Sequence, residues 1–166
     1  SSKVEKFIPP KKGSSHILRI IREMIDFKSE NQGTKISAAL EFLNNTVKKR
    51  AVVFLISDFF DKDYEKVLSI TKRKHDLVVL KITDLKEQEL PQIGYVQFVD
   101  PESGHKNFID TNNFSNRLEY RHWWQSNMDR INNICLKTGT DFAEIQTGHD
   151  YVKPLIKLFK QREKRR

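Results

Sequence analysis

Four aspartates stand where carboxylates could gather around a divalent cation. Asp58 follows Ser57 at the end of the apolar run 51–56. Asp84 follows the similar run 77–82, and Asp61 and Asp63 lie just beyond the first run. Neither run alternates with polar residues, so both read as strands buried on both faces of a parallel sheet. In open α/β sheets ligands bind at the carboxyl ends of such strands, which places Asp58 and Asp84 at one edge. Oxygen ligands of this kind suit Mg²⁺, an ion that keeps several of its waters. Acids just past a strand have a second use, as N-caps of the next helix, and Asp61 or Asp63 is placed for that. Asp58, directly at the strand end, is the favoured ligand. Thr34, which follows Gly33 and precedes a helical stripe, either caps that helix or offers its hydroxyl to a cation.

Other chemistries find little support. The histidines, His16, His75, His105, His122 and His149, show no metal-ligand spacing. Neither G-x-S-x-G, a phosphate loop nor G-x-G-x-x-G is present. Cys135 lies in an apolar helical face and is expected to be a buried, inert thiol. Of Trp123 and Trp124, one ring is expected in the core and the other over a helix edge. The enzymatic alternative is a Mg²⁺-dependent phosphohydrolase or nuclease built on Asp58, Asp84 and Asp61 or Asp63.

The elements that must position these residues alternate along the chain. Ile17, Ile20, Ile21, Met24 and Ile25 form one helical stripe, with Ser14 or Ser15 as its cap, and Ile36, Ala39, Leu40, Leu43 and Val47 form another. The strand 51–56 follows, then a helix carrying Tyr64, Val67, Leu68 and Thr71, then the strand 77–82. Beyond Leu90, Pro91 and Gly94, segments 95–99 and 106–109 read as a hairpin. A long helix over about 115–137 turns Tyr120, Trp124, Met128, Ile131 and Cys135 inward and stops at Gly139. A strand at 142–145 leads to a last helix with Leu155, Leu158 and Phe159 inward. This order predicts one α/β domain over 1–166, a three-layer sandwich with the hairpin inserted at about 94–110.

The 166 residues carry a net charge of +8, but seven Lys/Arg against one Glu in 151–166 account for +6 of it. The basicity therefore belongs to the terminal helix, where cations sit favourably at the negative dipole end. Lys157, Lys160, Arg162, Lys164, Arg165 and Arg166 could form a basic patch, but nucleic acid is not the expected partner. No apolar stretch approaches the roughly 18 residues of a membrane span, and one cysteine weakly favours a reducing, cytoplasmic setting. The first residue is not Met, and 3–8 looks like a strand cut short. A fragment of a longer protein is expected.

A series of short motifs now bears on family. It runs Phe7-Ile8-Pro9-Pro10 with Gly13, Gly33-Thr34, Leu55-Ile56-Ser57-Asp58-Phe59, His75-Asp76-Leu77-Val78, Thr83-Asp84-Leu85-Lys86-Glu87, Leu90-Pro91, Asp100-Pro101-Glu102-Ser103-Gly104 and Thr147. In order and spacing it resembles the bacterial family called domain of unknown function fifty-eight. The resemblance implies a von Willebrand factor A-like, Rossmann-like domain, truncated here, and a MoxR-type AAA+ ATPase as partner. It also implies a metal-ion-dependent adhesion site, in which Thr34 matches the family's Thr and Asp58 its last Asp, with Ser57 alongside. The Asp-x-Ser-x-Ser loop of that site is missing. Mg²⁺ is therefore expected only in the intact protein, and the function implied is a non-enzymatic protein-interaction module. Glu87, Asp100 and Glu102 belong to the resemblance without a role. By analogy with a sheet ordered 3-2-1-4-5-6, strands 1 and 2 would be absent and 3–8 would be strand 3. The strand 51–56 would then expose an apolar edge, which invites an edge-paired or swapped homodimer.

Overall fold

The computed structural model describes residues 4–28, 34–99 and 106–164. Three parallel strands, β1 (Val52–Ser57), β2 (Asp76–Thr83) and β5 (Asp141–Gln146), form a sheet in the order β1-β2-β5. Helices α2 (Ile36–Thr46), α3 (Glu65–Lys74) and α4 (Phe114–Thr138) contribute to the core on one face. Helix α5 (Val152–Glu163) packs on the other. The expected α/β sandwich, a parallel sheet flanked by helices, is the observed architecture. The hairpin is also found, as β3 (Tyr95–Val99) paired antiparallel with β4 (Lys106–Asp110) in a sheet of its own.

Strand alternation explains the two cores. Leu77 and Val79 of β2 point toward Ile36, Leu40, Leu68, Ile131 and Ile134, joined by Val53 and Leu55 of β1. Val78 and Leu80 point the other way, toward Ala143 and Leu158. Helix α4 follows its expected inner face, with Trp124, Ile131 and Cys135 buried, and it ends at Gly139 in a left-handed conformation. Burial pushes the Cys135 thiol up to about 12, which fits an inert side chain.

Several expectations are corrected. Strand β1 is not buried on both faces: Val52, Phe54 and Ile56 are 60%, 45% and 58% exposed. It lies at the sheet edge, and α5 packs chiefly on β5, so only its inner face is covered. Among the described residues β1 is thus an edge strand whose outward face is apolar and exposed. Residues 4–8 belong to no strand. Phe7 instead meets the edge of the Phe42 ring at 5.3 Å. Helix α1 (Ser14–Asp26) forms, but Gly13 rather than a serine is its cap residue, and Ile17, Ile21, Met24 and Ile25 stay exposed. Phe159 is also exposed, its ring touching that of Phe54 on the bare side of β1.

His75 closes the amino end of the sheet. It is fully buried, and its Nδ1 accepts from the Ala51 amide at 3.3 Å. Burial, and then the Lys74 charge, hold its pKa below the usual imidazole value. Below about pH 6.5 the unfolded chain takes up a proton that folded His75 refuses, until its own lowered pKa is reached. Stability should therefore fall with pH through that window. Urea unfolding at a series of pH values should show the loss in the wild type and a shallower one in His75→Phe. An identical slope would remove His75 as its cause.

Candidate functional site at the carboxyl edge of the sheet

The strand register sets Ser57, Lys81 and Glu144 side by side in one row across the sheet. By alternation they share the face of Leu77 and Val79. Lys81 is 1% exposed. Its Nζ donates to the Asp58 carbonyl at 2.7 Å and sits 5.2 Å from the centre of the Phe60 ring. Burial lowers its pKa, while Asp58 and then Glu144 favour the charged form. Thr83 donates to Glu144 Oε1 at 2.9 Å.

The segment after β1 is a tight and strained turn. Phe59 and Asp63 both have φ of 61°, a left-handed conformation uncommon for any side chain and an outlier for a bulky buried one. Arg130 of α4 spans this turn. Its Nη2 donates to the Asp61 carbonyl at 2.5 Å, to the Phe59 carbonyl at 3.3 Å and to Asn127 Oδ1 at 2.9 Å. The guanidinium also lies 5.3 Å from the centre of the Tyr64 ring. Asp61 Oδ2 accepts from the Ile36 amide at 2.6 Å, which satisfies a free N–H at the start of α2.

These contacts decide where the expected site residues fall. Asp61 does act as a cap, but on α2 and not on the helix that follows it. Tyr64 is the cap residue of α3 and makes no side-chain cap bond. Thr34 lies exposed two residues before Ile36, and Asp58 lies exposed three residues before Asp61. The Asp61–Ile36 bond thus ties the start of α2, which Thr34 precedes, to the turn that carries Asp58. Asp58 Oδ1 accepts from Ser57 Oγ at 3.3 Å and the Phe60 amide at 3.4 Å. Asp84 faces away toward β5, with Oδ1 accepting from the Lys86 amide and Oδ2 from Thr147 Oγ1. Those two bonds, the backbone one first, hold its carboxyl below the usual range.

The four aspartates therefore do not converge. Among the described residues no three His, Cys, Asp or Glu side chains form a group that could hold a metal ion. One exposed hydroxyl and one carboxylate leave nearly all of a hard cation's coordination to water. The Lys81 ammonium beside Asp58 adds a like charge to any incoming ion. The residues present do not by themselves fit a tightly held Mg²⁺.

The basic patch is also smaller than expected. Arg162 is half-buried and pairs with Asp76 and, at 3.1 Å, with Asp141, at the amino ends of β2 and β5. Lys157, Lys160 and Lys164 remain on the outer face of α5 with Lys153. Arg165, Arg166, Gly33, Asp100 and Glu102 lie outside the described residues. The Glu87 carbonyl accepts from Tyr120 at 2.7 Å, which ties the turn after β2 to α4. Lys81 and Arg130 escaped the sequence reading. A lone cation inside the run 77–82 was a usable signal for the first, whereas the second had none.

Comparison with known proteins bears on this arrangement. A family model described as "Protein of unknown function DUF58" matches residues 1–130. The chain belongs to this family. Among curated relatives, uncharacterized proteins of Mycobacterium bovis and Mycobacterium tuberculosis are each 24% identical over 100 residues, 58% of this chain and 32% of the relative. An uncharacterized protein of Mycobacterium avium is 21% identical over 132 residues, 78% of this chain and 76% of the relative. The match thus spans about a third of the length of the first two relatives. No solved structure matches. The DUF58 match includes the whole Asp58 turn, Lys81 and Arg130. No helix among the described residues is long and apolar enough to cross a membrane.

Proposed function

We propose that this DUF58 chain is a non-enzymatic protein-interaction module whose partner is a MoxR-type AAA+ ATPase. The observation that carries the reading is the turn after β1. Lys81 and Arg130 hold its carbonyls and Asp61 ties it to α2, yet the carboxylate of Asp58 faces solvent. A fixed backbone presenting an exposed acid suits recognition, because little order remains to be gained on binding. Thr34, just before the helix that Asp61 caps, is in this reading the hydroxyl ligand of an adhesion-type site. In this reading a longer chain supplies the missing ligands, and Mg²⁺ binds only there. The commitment of Asp84 and Asp61 to separate hydrogen bonds favours this over a metal-dependent phosphohydrolase or nuclease. The bare edge of β1 is where the reading places a further strand, from a second copy of this chain or from upstream residues of a longer one.

The test uses the full-length protein and the MoxR-type ATPase of the same genome. Immobilised wild type should retain the ATPase, and Asp58→Ala should weaken capture by about tenfold or more, as loss of a central contact does. Hydrolysis of bis(p-nitrophenyl) phosphate with Mg²⁺ should stay at the buffer rate for both. Turnover in the wild type that disappears in Asp58→Ala would establish the hydrolase instead.

A further inference from the structure

Beside the Asp58 turn an open groove of about 760 Å³ runs between the start of α3 and the middle of α4. Its floor is aromatic. Phe60 and Trp123 stack with ring centres 5.4 Å apart and planes 5° from parallel, and Tyr120 leans on Trp123 at 5.6 Å. Trp123 is nevertheless 53% exposed. Lys62 and Lys66 stand exposed at the rim, and neither ammonium is in an ion pair among the described residues. Asn127 lines the groove as well, and its buried Nδ2 has no hydrogen-bond partner.

The chemistry of these groups is one-sided. The groove offers an aromatic surface and two exposed ammonium groups that want acceptors. Trp is among the residues most enriched where binding energy concentrates. The strained turn fixes Phe60, so the stacked pair is set before any partner arrives. Asp63 and Glu65 also line the groove, and Asp58 lies close by in sequence. Those acids repel a polyanion such as a nucleic acid but leave room for an isolated carboxylate between the lysines.

We infer that this groove seats a segment of a partner protein in which an aromatic residue, flanked by carboxylates, stacks on Trp123 while the acids meet Lys62 and Lys66. The inference deepens the interaction reading and takes from it only that the partner is a protein. The groove is a second contact, distinct from the Asp58 carboxylate.

Panning a random dodecapeptide library against the chain, with the Trp123→Ala variant panned in parallel, tests it. Selected peptides should carry Trp, Tyr or Phe with Asp or Glu next to it. A labelled synthetic peptide of the winning sequence should bind the wild type, about tenfold more weakly Trp123→Ala, and several-fold more weakly the Lys62→Glu/Lys66→Glu double variant. Trp123→Phe should recover part of the loss, which separates lost stacking from misfolding. The inference is overturned if nothing is selected above background or the winners lack acids or aromatics. Equal binding to Trp123→Ala, or tighter binding of oligothymidylate than of any peptide, would overturn it too. The assay contains no ATPase. Failed panning with Asp58-dependent ATPase capture would sink only the groove, and the reverse would sink only the ATPase reading.

Discussion

Replacing Arg130 with Met should lower the stability of the chain by about 2–3 kcal/mol and loosen the turn between β1 and α3. Hydrogen bonds from a charged group contribute about 1.5–3 kcal/mol when its partners would otherwise lose them. The Arg130 guanidinium bonds the Asp61 and Phe59 carbonyls and lies against Tyr64. Its removal frees two carbonyls in a segment that already stores strain at Phe59 and Asp63. For a domain of this size the loss corresponds to a melting temperature lower by roughly 5–10 °C. Lysine is not an adequate substitute, because a compact ammonium lacks the flat guanidinium face that lies against Tyr64. Thermal unfolding of wild type, Arg130→Met and Arg130→Lys measures the effect. A change below about 0.5 kcal/mol, the scale of an ordinary surface substitution, would mean that the clamp contributes little.

The second large effect is expected at Lys81. Lys81→Ala removes a buried four-carbon stem from beside the Phe60 ring and the strand row, and leaves the Asp58 carbonyl without its donor. Cavity and lost hydrogen bond together predict a loss of about 2–4 kcal/mol. Lys81→Met keeps the volume and also removes the cost of burying a charge, so its loss should be much smaller. The two variants therefore separate packing from charge. Urea unfolding should rank them wild type, Met, Ala. If Met were as damaging as Ala, the ammonium rather than the stem would dominate.

Much of the fold was legible because it rests on local pattern. The runs 51–56 and 77–82 are apolar enough to be strands whatever surrounds them. Gly139 is a helix stop that only backbone geometry explains, and the spacing of Trp124, Ile131 and Cys135 fixes one face of α4. What covers each face was not legible. The apolar residues of β1 and of α1 look like core residues in sequence, yet Phe54 and Ile25 are exposed. A hydrophobic pattern says that a face should be covered and does not say by what.

The site was legible to the level of its edge. Apolar runs ending in Ser57-Asp58 and Thr83-Asp84 located the carboxyl ends of neighbouring strands. The wiring was not, because it is long-range. Asp61 reaches an amide 25 residues upstream, and Arg130 reaches carbonyls 69 and 71 residues upstream. Spacing along the chain carries no trace of such bonds. It suggested four convergent acids, whereas the fold spends Asp61 on α2 and Asp84 on Thr147. Lys81 is the instructive case. A cation amid Val78, Val79, Leu80 and Ile82 signals a buried charge with a definite acceptor, and the nearest strand-end carbonyl was the place to look.

The account rests on a turn that the protein's own cations organise. Amide hydrogen exchange over residues 58–63 tests this most directly, measured on the wild type and on Lys81→Met in chelator and again in excess Mg²⁺. Wild-type protection should be the same in both solutions, and Lys81→Met should exchange about tenfold or more faster in both. Protection that appears in the wild type only when Mg²⁺ is added, or that is indifferent to Lys81→Met, would contradict it.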